Sequence, residues 1–124
     1  MENVWLKHYP EDVQKTVEIP SKTIPDLLAE ATENYAQQTA ITFYGNEMSY
    51  EKLSTLSHLF ASALQAANVK KEDRVAIMLP NCPQFVISYY GILKAGAIVT
   101  QVNPMLVERE LEHILVDSGA ETIV

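Results

Sequence analysis

Residues 75–102 read VAIMLPNCPQFVISYYGILKAGAIVTQV, and this stretch decides the fold class. It begins with the apolar run Val75–Leu79, which is typical of a strand covered on both sheet faces, and such strands belong to parallel sheets. Asn81 is expected to cap the next helix, which ends at Gly96. The segment Ala97–Val102 then predicts a second strand.

The pattern repeats toward the carboxyl end. Glu108 to Ser118 has helical periodicity with Gly119 as its stop, and Glu121 to Val124 predicts a further strand. Strands that alternate with helices are joined by right-handed crossovers. We therefore expect an α/β fold: the start of a parallel sheet with helices on both faces.

The part of the chain before this sheet is predicted to be simpler. Residues 1–22 lack periodicity and indicate an extended arm, anchored by Trp5, Leu6 and Tyr9. A helix is expected from a capping box at Thr23 to about Gln38. After this helix come two short strands, Ala40–Tyr44 and Glu47–Ser49, joined by Gly45-Asn46 as a tight two-residue loop. A second helix is expected from a Ser49 cap to a left-handed stop at Asn68. The residues expected to face inward on this helix are Leu53, Leu56, Phe60, Ala63, Leu64 and Ala67.

Composition limits the function classes. The 124 residues fit one domain, and 48% hydrophobic residues are enough for a core. Sixteen acidic against nine basic residues give a net charge of −7 with no basic stripe, which argues against nucleic acid as a partner. The single cysteine, Cys82, excludes an intrachain disulfide and fits a reducing compartment.

The segment Val75 to Leu93 has no charged side chain, and its length approaches that of a membrane span. We interpret it instead as a strand, a turn and a helix, because Pro80, Asn81 and Pro83 would leave polar groups unpaired in hydrocarbon. The amino terminus resembles no secretion signal. The expected location is the cytoplasm.

Two features indicate that this sheet continues elsewhere. The last predicted strand stops at Val124 without a turn or a polar tail. The helix that contains Phe85, Tyr89 and Ile92 is apolar almost all the way round, so we expect material outside this chain to cover part of it.

No catalytic set is visible. Gly45, Gly96 and Gly119 are assigned to a turn and two helix ends, and Gly91 to close packing, so no phosphate-binding loop remains. The other candidate residues are given structural interpretations. The histidines His8, His58 and His113 are interpreted as solvated or packed side chains, and Cys82 as a small filler in the first turn of its helix. We interpret the charged residues Glu108, Arg109, Glu110 and Glu112 as a solvated helix face rather than a cation site, and Tyr89 and Tyr90 as core residues rather than the lining of a pocket.

Two motifs carry a family resemblance. Met48-Ser49-Tyr50-Glu51-Lys52-Leu53 resembles the first core motif of adenylate-forming enzymes, and Leu93-Lys94-Ala95-Gly96-Ala97 with Asn103-Pro104 resembles the second. The resemblance covers about Ala40 to Val124, and the arm, with Trp5-Leu6-Lys7 and Tyr9-Pro10, is similar to the start of bacterial long-chain fatty acid–CoA ligases. It implies that residues 23–124 are an incomplete subdomain of a larger adenylation domain.

The resemblance also implies the chemistry of the parent enzyme. ATP, Mg²⁺ and coenzyme A would be used to convert a fatty acid into its acyl-CoA, with the remainder of the polypeptide as this segment's partner. No catalytic, cofactor-binding or metal-binding residue matches within this chain, so we expect a scaffold that is inactive alone and binds none of these ligands. One departure is Val107, where the family usually has a helix-capping threonine.

Two alternatives remain open at this point. Within the same superfamily, the parent could be an aryl-CoA ligase or an amino-acid adenylation domain. From another class, the chain could be a self-sufficient, flavodoxin-like binding or assembly domain that covers its open edge by self-association. A peripheral membrane contact of the parent and a homo-oligomer are also left open.

Overall fold

A computed structural model describes residues 4–124. The arm differs from the sequence prediction, because Val4–His8 forms a 3-10 helix rather than extended chain. The predicted anchors Trp5 and Tyr9 are 60% and 42% exposed, and only Leu6 is half-buried. The two aromatic residues predicted as anchors are therefore exposed rather than buried.

Helix α1 spans Ile24–Tyr35 and starts at the predicted capping box. The Thr23 hydroxyl accepts from the Asp26 N–H at 3.3 Å, and the Asp26 carboxylate accepts from the Thr23 N–H at 2.8 Å. The helix ends before the predicted Gln38, and Leu28 is its one buried residue.

Strands β1 (Thr39–Phe43) and β2 (Asn46–Ser49) form the predicted antiparallel hairpin. The loop is Tyr44-Gly45, not Gly45-Asn46, because Phe43 pairs with Asn46. Tyr44 and Gly45 have φ values of +48° and +79°, the positive pair that a type I′ turn requires. Tyr44 is 90% exposed in a conformation that bulky residues seldom adopt.

Helix α2 spans Tyr50–Ala66, and its predicted Ser49 cap accepts from the Lys52 N–H at 3.2 Å. Asn68 is left-handed as predicted, and the Val69 N–H donates to the Leu64 carbonyl at 3.0 Å, which completes a Schellman motif. The inward face differs in part from the prediction. Ala63 and Ala67 are exposed, and Ser57 and Ala61 are buried instead.

The parallel sheet has the order β4-β3-β5, formed by Arg74–Ile77 (β3), Ile98–Gln101 (β4) and Thr122–Ile123 (β5). Val75 pairs with Val99 on one side and with Thr122 on the other. The side chains of Val75, Ala76 and Ile77 are fully buried, as expected for a strand with both faces covered.

Helix α3 (Pro83–Lys94) packs on one face of this sheet, between the strands and helices α1 and α2. Its residues are buried or half-buried, except for the exposed Gln84. Helices α1 and α2 cover part of α3, while Phe85, Tyr89 and Leu93 remain half-buried, so the expectation that outside material covers the rest of this helix stays a prediction. The buried core cluster on this face is Ala61, Leu64, Val69, Val75, Ile77, Ile92, Ala95 and Ala97.

Helix α4 (Glu108–Ser118) joins β4 to β5. The β3-to-β4 and β4-to-β5 connections run in opposite directions along the sheet, so right-handed crossovers place α3 and α4 on opposite faces. None of the residues of α4 is fully buried, and Gly119 ends it at φ +68°. One face of the sheet thus carries three helices and the other carries one.

The apolar segment after Val75 is a strand, a turn and a helix, as the sequence predicts. Among residues 4–124, no helix has the length and apolar character needed to cross a bilayer.

Candidate functional site

The carboxyl ends of β3 and β4 form the candidate site. The chain leaves β3 toward α3 on one face and leaves β4 toward α4 on the other, so the two exit loops diverge at this end of the sheet. Open α/β sheets bind their ligands at such a switch point. The space between the two diverging loops, residues 78–82 and 102–107, is called the crevice, and the side chains of these loops set its chemistry.

The loop after β3 leads into the first turn of α3. The Met78 N–H donates to the Val124 carbonyl at 2.8 Å, and Pro80 and Asn81 are exposed. Cys82, not the predicted Asn81, is the N-cap of α3, with φ −144° and no side-chain capping bond. The cap must directly precede the first helical residue, and Pro83 holds that position.

Cys82 is therefore half-buried at the cap position, rather than a filler inside the first turn. Its thiol is the one group in the β3 exit loop other than the Asn81 amide that carries polar side-chain chemistry.

The loop after β4 forms a compact turn. The Val102 N–H donates to the Ile77 carbonyl at 2.9 Å, which extends the pairing with β3, and Val102 is buried. The Asn103 side-chain oxygen accepts from the Met105 N–H at 2.9 Å. Asn103, Pro104 and Met105 are exposed.

The two loops contain no acidic, basic or histidine side chain. Two amides and a thiol cannot neutralise a polyphosphate or act as an acid–base pair near neutral pH. Within residues 4–124, no group of three metal-ligating side chains comes together. The two exit loops therefore offer backbone groups, two amides and a thiol at this end of the sheet, and no charge.

An apolar cleft lies beside this edge, between the hairpin and the first turn of α3. Ile41, Phe43, Met48 and Pro83 line it, together with Asn46, Glu47 and Gln84. The hairpin thus packs at the same end of α3 that borders the crevice.

The three histidines lie on three different elements: His8 in the 3-10 helix, His58 on α2 and His113 on α4. All three are exposed, in agreement with the interpretation as ordinary side chains. Glu108, Glu110 and Glu112 are exposed on α4, and the Glu110 carboxylate accepts from the Val107 N–H at 3.2 Å. Glu110 therefore contributes to the capping of the start of α4.

Tyr89 and Tyr90 belong to the packing of α3, as predicted. Tyr89 packs against the core, stacks on Phe85 with 6.5 Å between ring centroids, and meets the Tyr90 ring edge-on at 5.8 Å. Burial raises the pKa of the Tyr90 hydroxyl.

One structural residue was missed by sequence reasoning. Lys94 is half-buried at the end of α3, and its ammonium group donates to the Ser54 carbonyl at 3.4 Å and to the Ser54 hydroxyl at 3.2 Å. Burial lowers the pKa of Lys94. The sequence does indicate a special position, because Lys94 is the single charged residue in an otherwise uncharged helix. Its contacts connect α3 to α2, away from the crevice.

The profile of the AMP-binding enzyme family matches residues 28–124. Over 120 residues, the chain is 43% identical to a long-chain-fatty-acid–CoA ligase of Bacillus subtilis, a match that covers 97% of this chain and 21% of the relative. A ligase of the same name from Yersinia pestis is 44% identical over 127 residues, which is 22% of its length. The chain thus spans about a fifth of the curated relatives that it matches.

The chain also superposes on parts of solved structures. The N-terminal subdomain of Klebsiella oxytoca NpsA, in complex with 3-hydroxyanthranilyl-AMSN, superposes with a TM-score of 0.80 at 27% identity, covering 82% of this chain and 26% of that subdomain. The anthranilate CoA ligase AuaEII, in complex with anthranoyl-AMP, superposes with a TM-score of 0.79 at 27% identity, covering 85% of this chain and 20% of AuaEII.

Proposed function

The chain belongs to the AMP-binding enzyme family, and we propose that it is the amino-terminal scaffold of a long-chain fatty acid–CoA ligase. One observation carries the proposal: the 43% identity to the Bacillus subtilis ligase extends over 97% of this chain. The match includes the arm as well as the α/β part, and the arm is where the sequence resembled this group of ligases.

In the proposed reaction, an oxygen of the fatty carboxylate attacks the α-phosphorus of ATP. The bond from that phosphorus to pyrophosphate breaks, and an acyl-adenylate forms. The thiol sulfur of coenzyme A then attacks the acyl carbon, the thiol proton is lost, and AMP leaves with the electrons of the broken C–O bond. Mg²⁺ would accompany the nucleotide in the whole enzyme.

The residues of the two exit loops do not fit the nucleotide or its metal ion. The exit loops of β3 and β4 offer Asn81, Cys82 and Asn103 and no charge, whereas phosphoryl and adenylyl transfer depend on positive groups placed where negative charge develops. We therefore assign no step to them. Their proposed role is to hold one wall of the crevice in place for catalytic groups elsewhere in the polypeptide.

The test compares the complete reading frame with residues 1–124 alone in ATP–pyrophosphate exchange driven by a long-chain fatty acid. We expect exchange by the complete protein and none by the segment. Exchange catalysed by the segment would overturn the scaffold assignment. A complete protein that lacks exchange with every fatty acid, yet is folded, would overturn the ligase assignment.

A second candidate is a parent that activates an aromatic or amino acid. The superposition on NpsA and AuaEII supports it, as does 29% identity to triostin synthetase I of Streptomyces triostinicus over 94% of this chain. The lower identities make it the weaker candidate. Exchange with anthranilate or amino acids, but not with fatty acids, would favour it.

The rival from another class, a self-sufficient flavodoxin-like binding domain, predicts a discrete and well-protected oligomer of residues 1–124 in sizing chromatography and hydrogen exchange. The ligase proposal predicts loose association of the segment instead. We also propose a cytoplasmic location for the parent, and no nucleic-acid partner for this segment, because its net charge of −7 comes with no basic stripe to follow a phosphate backbone.

A further inference from the structure

Lys94, at the end of α3, has surroundings that no other lysine of the described chain has. It is half-buried, whereas the other described lysines are exposed: Lys7, Lys15, Lys22, Lys52, Lys70 and Lys71. Lys22 forms an ion pair with Glu30 at 2.6 Å. Among residues 4–124, no carboxylate lies within ion-pair distance of Lys94. Its charge is therefore partly removed from water without an opposite charge beside it.

The hydrogen bonds of Lys94 go to two neutral acceptors of one residue. Its ammonium group donates to the Ser54 hydroxyl at 3.2 Å and to the Ser54 carbonyl at 3.4 Å. Most N–H···O bonds in proteins are about 2.7–3.2 Å long, so neither contact is short. Long bonds to neutral groups replace only part of the hydration that an ammonium loses on burial. The site thus favours the neutral amine more than the surface of the protein does.

The titration of Lys94 agrees with this geometry. Burial lowers its pKa, and no charged group on the elements packed against α3, which are α1, α2, β3 and β4, contributes to the shift. A larger share of the Lys94 amine is therefore neutral near pH 7 than is the case for an exposed lysine. Only the neutral amine has a free electron pair, and desolvated lysines are nucleophiles for this reason.

We propose that Lys94 is a modification site, at which the amine nitrogen is acylated by an acyl-CoA thioester. The nitrogen attacks the acyl carbon and forms an N–C bond. The C–S bond breaks with its electron pair on sulfur, and the thiolate takes up the proton that the nitrogen loses. The products are an amide on Lys94 and free coenzyme A. The inference rests on the proposed function only for the source of the thioester, which would be the product of the ligase.

Acylation would change the contact between α2 and α3. An ammonium group has three N–H donors and a charge, whereas an amide nitrogen has one N–H and no charge. The modified side chain could keep one of its two contacts with Ser54 and would remove the single charge of α3. The modification would therefore act on the seam between these two helices.

The first experiment incubates the complete protein with acetyl-CoA, without ATP, and measures acetylation of Lys94 and Lys52 by peptide mass spectrometry. Lys52 is the matched control, because it is exposed on α2, two residues from Ser54. We expect the ratio of the Lys94 rate to the Lys52 rate to exceed one near pH 7. It should fall as the pH approaches the ordinary lysine pKa of about 10.4, where the exposed amine is neutral as well. A ratio of one or less at every pH would overturn the proposal.

The second experiment repeats the reaction in urea that unfolds the protein. We expect the ratio to fall to about one, because both amines are then in water. A preference for Lys94 that persists in urea would overturn the proposal, since it would come from the local sequence and not from the half-buried site. ATP–pyrophosphate exchange is measured on the unmodified protein in parallel. An inactive protein that prefers Lys94 refutes the ligase assignment alone, and an active protein without that preference refutes the modification site alone.

Discussion

Gly91 of α3 lies directly against Phe60 of α2. A Cβ atom at Gly91 would come within 2.7 Å of Phe60 Cδ1 and 3.0 Å of the Ser57 carbonyl oxygen. These two helices make the most extensive contact between elements of the described fold. The predicted packing role of Gly91 is thereby confirmed, and the contact explains why α2 can cover so much of α3.

Replacing Gly91 by alanine should destabilise the fold. Alanine is the better helix former by about 0.5–1 kcal/mol, but overpacking a core costs about 1–3 kcal/mol, and one of the obstructing atoms is backbone. We expect a net loss near 1 kcal/mol in the free energy of unfolding by urea. Phe60→Leu in the same background should recover part of it, and an unchanged midpoint for Gly91→Ala would contradict the close contact.

Ser57→Ala should have the opposite effect. Ser57 is fully buried, and its hydroxyl has no hydrogen-bond partner among residues 4–124. An unsatisfied buried polar group costs about 1–3 kcal/mol, so its removal should raise the free energy of unfolding by about 1 kcal/mol. Ser62→Ala on the exposed side of α2 is the matched control and should change little. Destabilisation by Ser57→Ala would show that the hydroxyl is satisfied.

Val107→Thr should stabilise the start of α4. Val107 has the extended backbone of an N-cap, and the Glu110 carboxylate already accepts from its N–H, but valine has no side-chain acceptor for the return bond. Val107 is 63% exposed, so little burial is lost. A threonine hydroxyl should add about 1 kcal/mol, measured by urea unfolding, whereas Val107→Ala should add nothing. An equal gain in both variants would exclude capping as the cause.

Asp26 should give the fold a dependence on acid pH. The Thr23 hydroxyl, and then the Thr23 N–H, hold the pKa of the Asp26 carboxyl below its ordinary 3.8. Because the folded-state pKa is the lower one, the carboxylate stabilises the fold above pH 3.8, and this contribution is lost as the pH falls through the folded value.

The measurement is the difference in unfolding free energy between the parent sequence and Asp26→Asn, which keeps the shape but does not titrate. We expect this difference to shrink as the pH is lowered below 3.8. A constant difference across that range would mean that the capping box does not depend on the carboxylate charge.

Local signals predicted much of this fold. The Thr23, Ser49, Asn68 and Gly119 helix boundaries depend on bonds within one turn, and the apolar run at Val75 identifies the central strand. The errors have tertiary causes. The hairpin turn moved to Tyr44-Gly45 because strand pairing overrides the preference for Gly-Asn, and Ala63 and Ala67 are exposed because α2 packs through Ser57 and Ala61 instead.

The candidate site was less accessible to sequence reasoning. The two exit loops could be located, but they diverge to opposite faces only because β5 pairs on the far side of β3, and periodicity does not show strand order. Cys82 became the cap because Pro83 already begins the helix. That this chain supplies no catalytic residue stays a prediction.

The central position of β3 has a consequence for synthesis on the ribosome. Both of its partners, β4 and β5, are translated after it, so until each partner leaves the exit tunnel a nascent chain has two unpaired edges on the strand that carries the apolar residues Val75, Ala76 and Ile77. The hairpin and helix α2 are made earlier and can form while the strand waits. The vulnerable interval for aggregation is therefore the translation of α3 through β5, when a chaperone would be needed most.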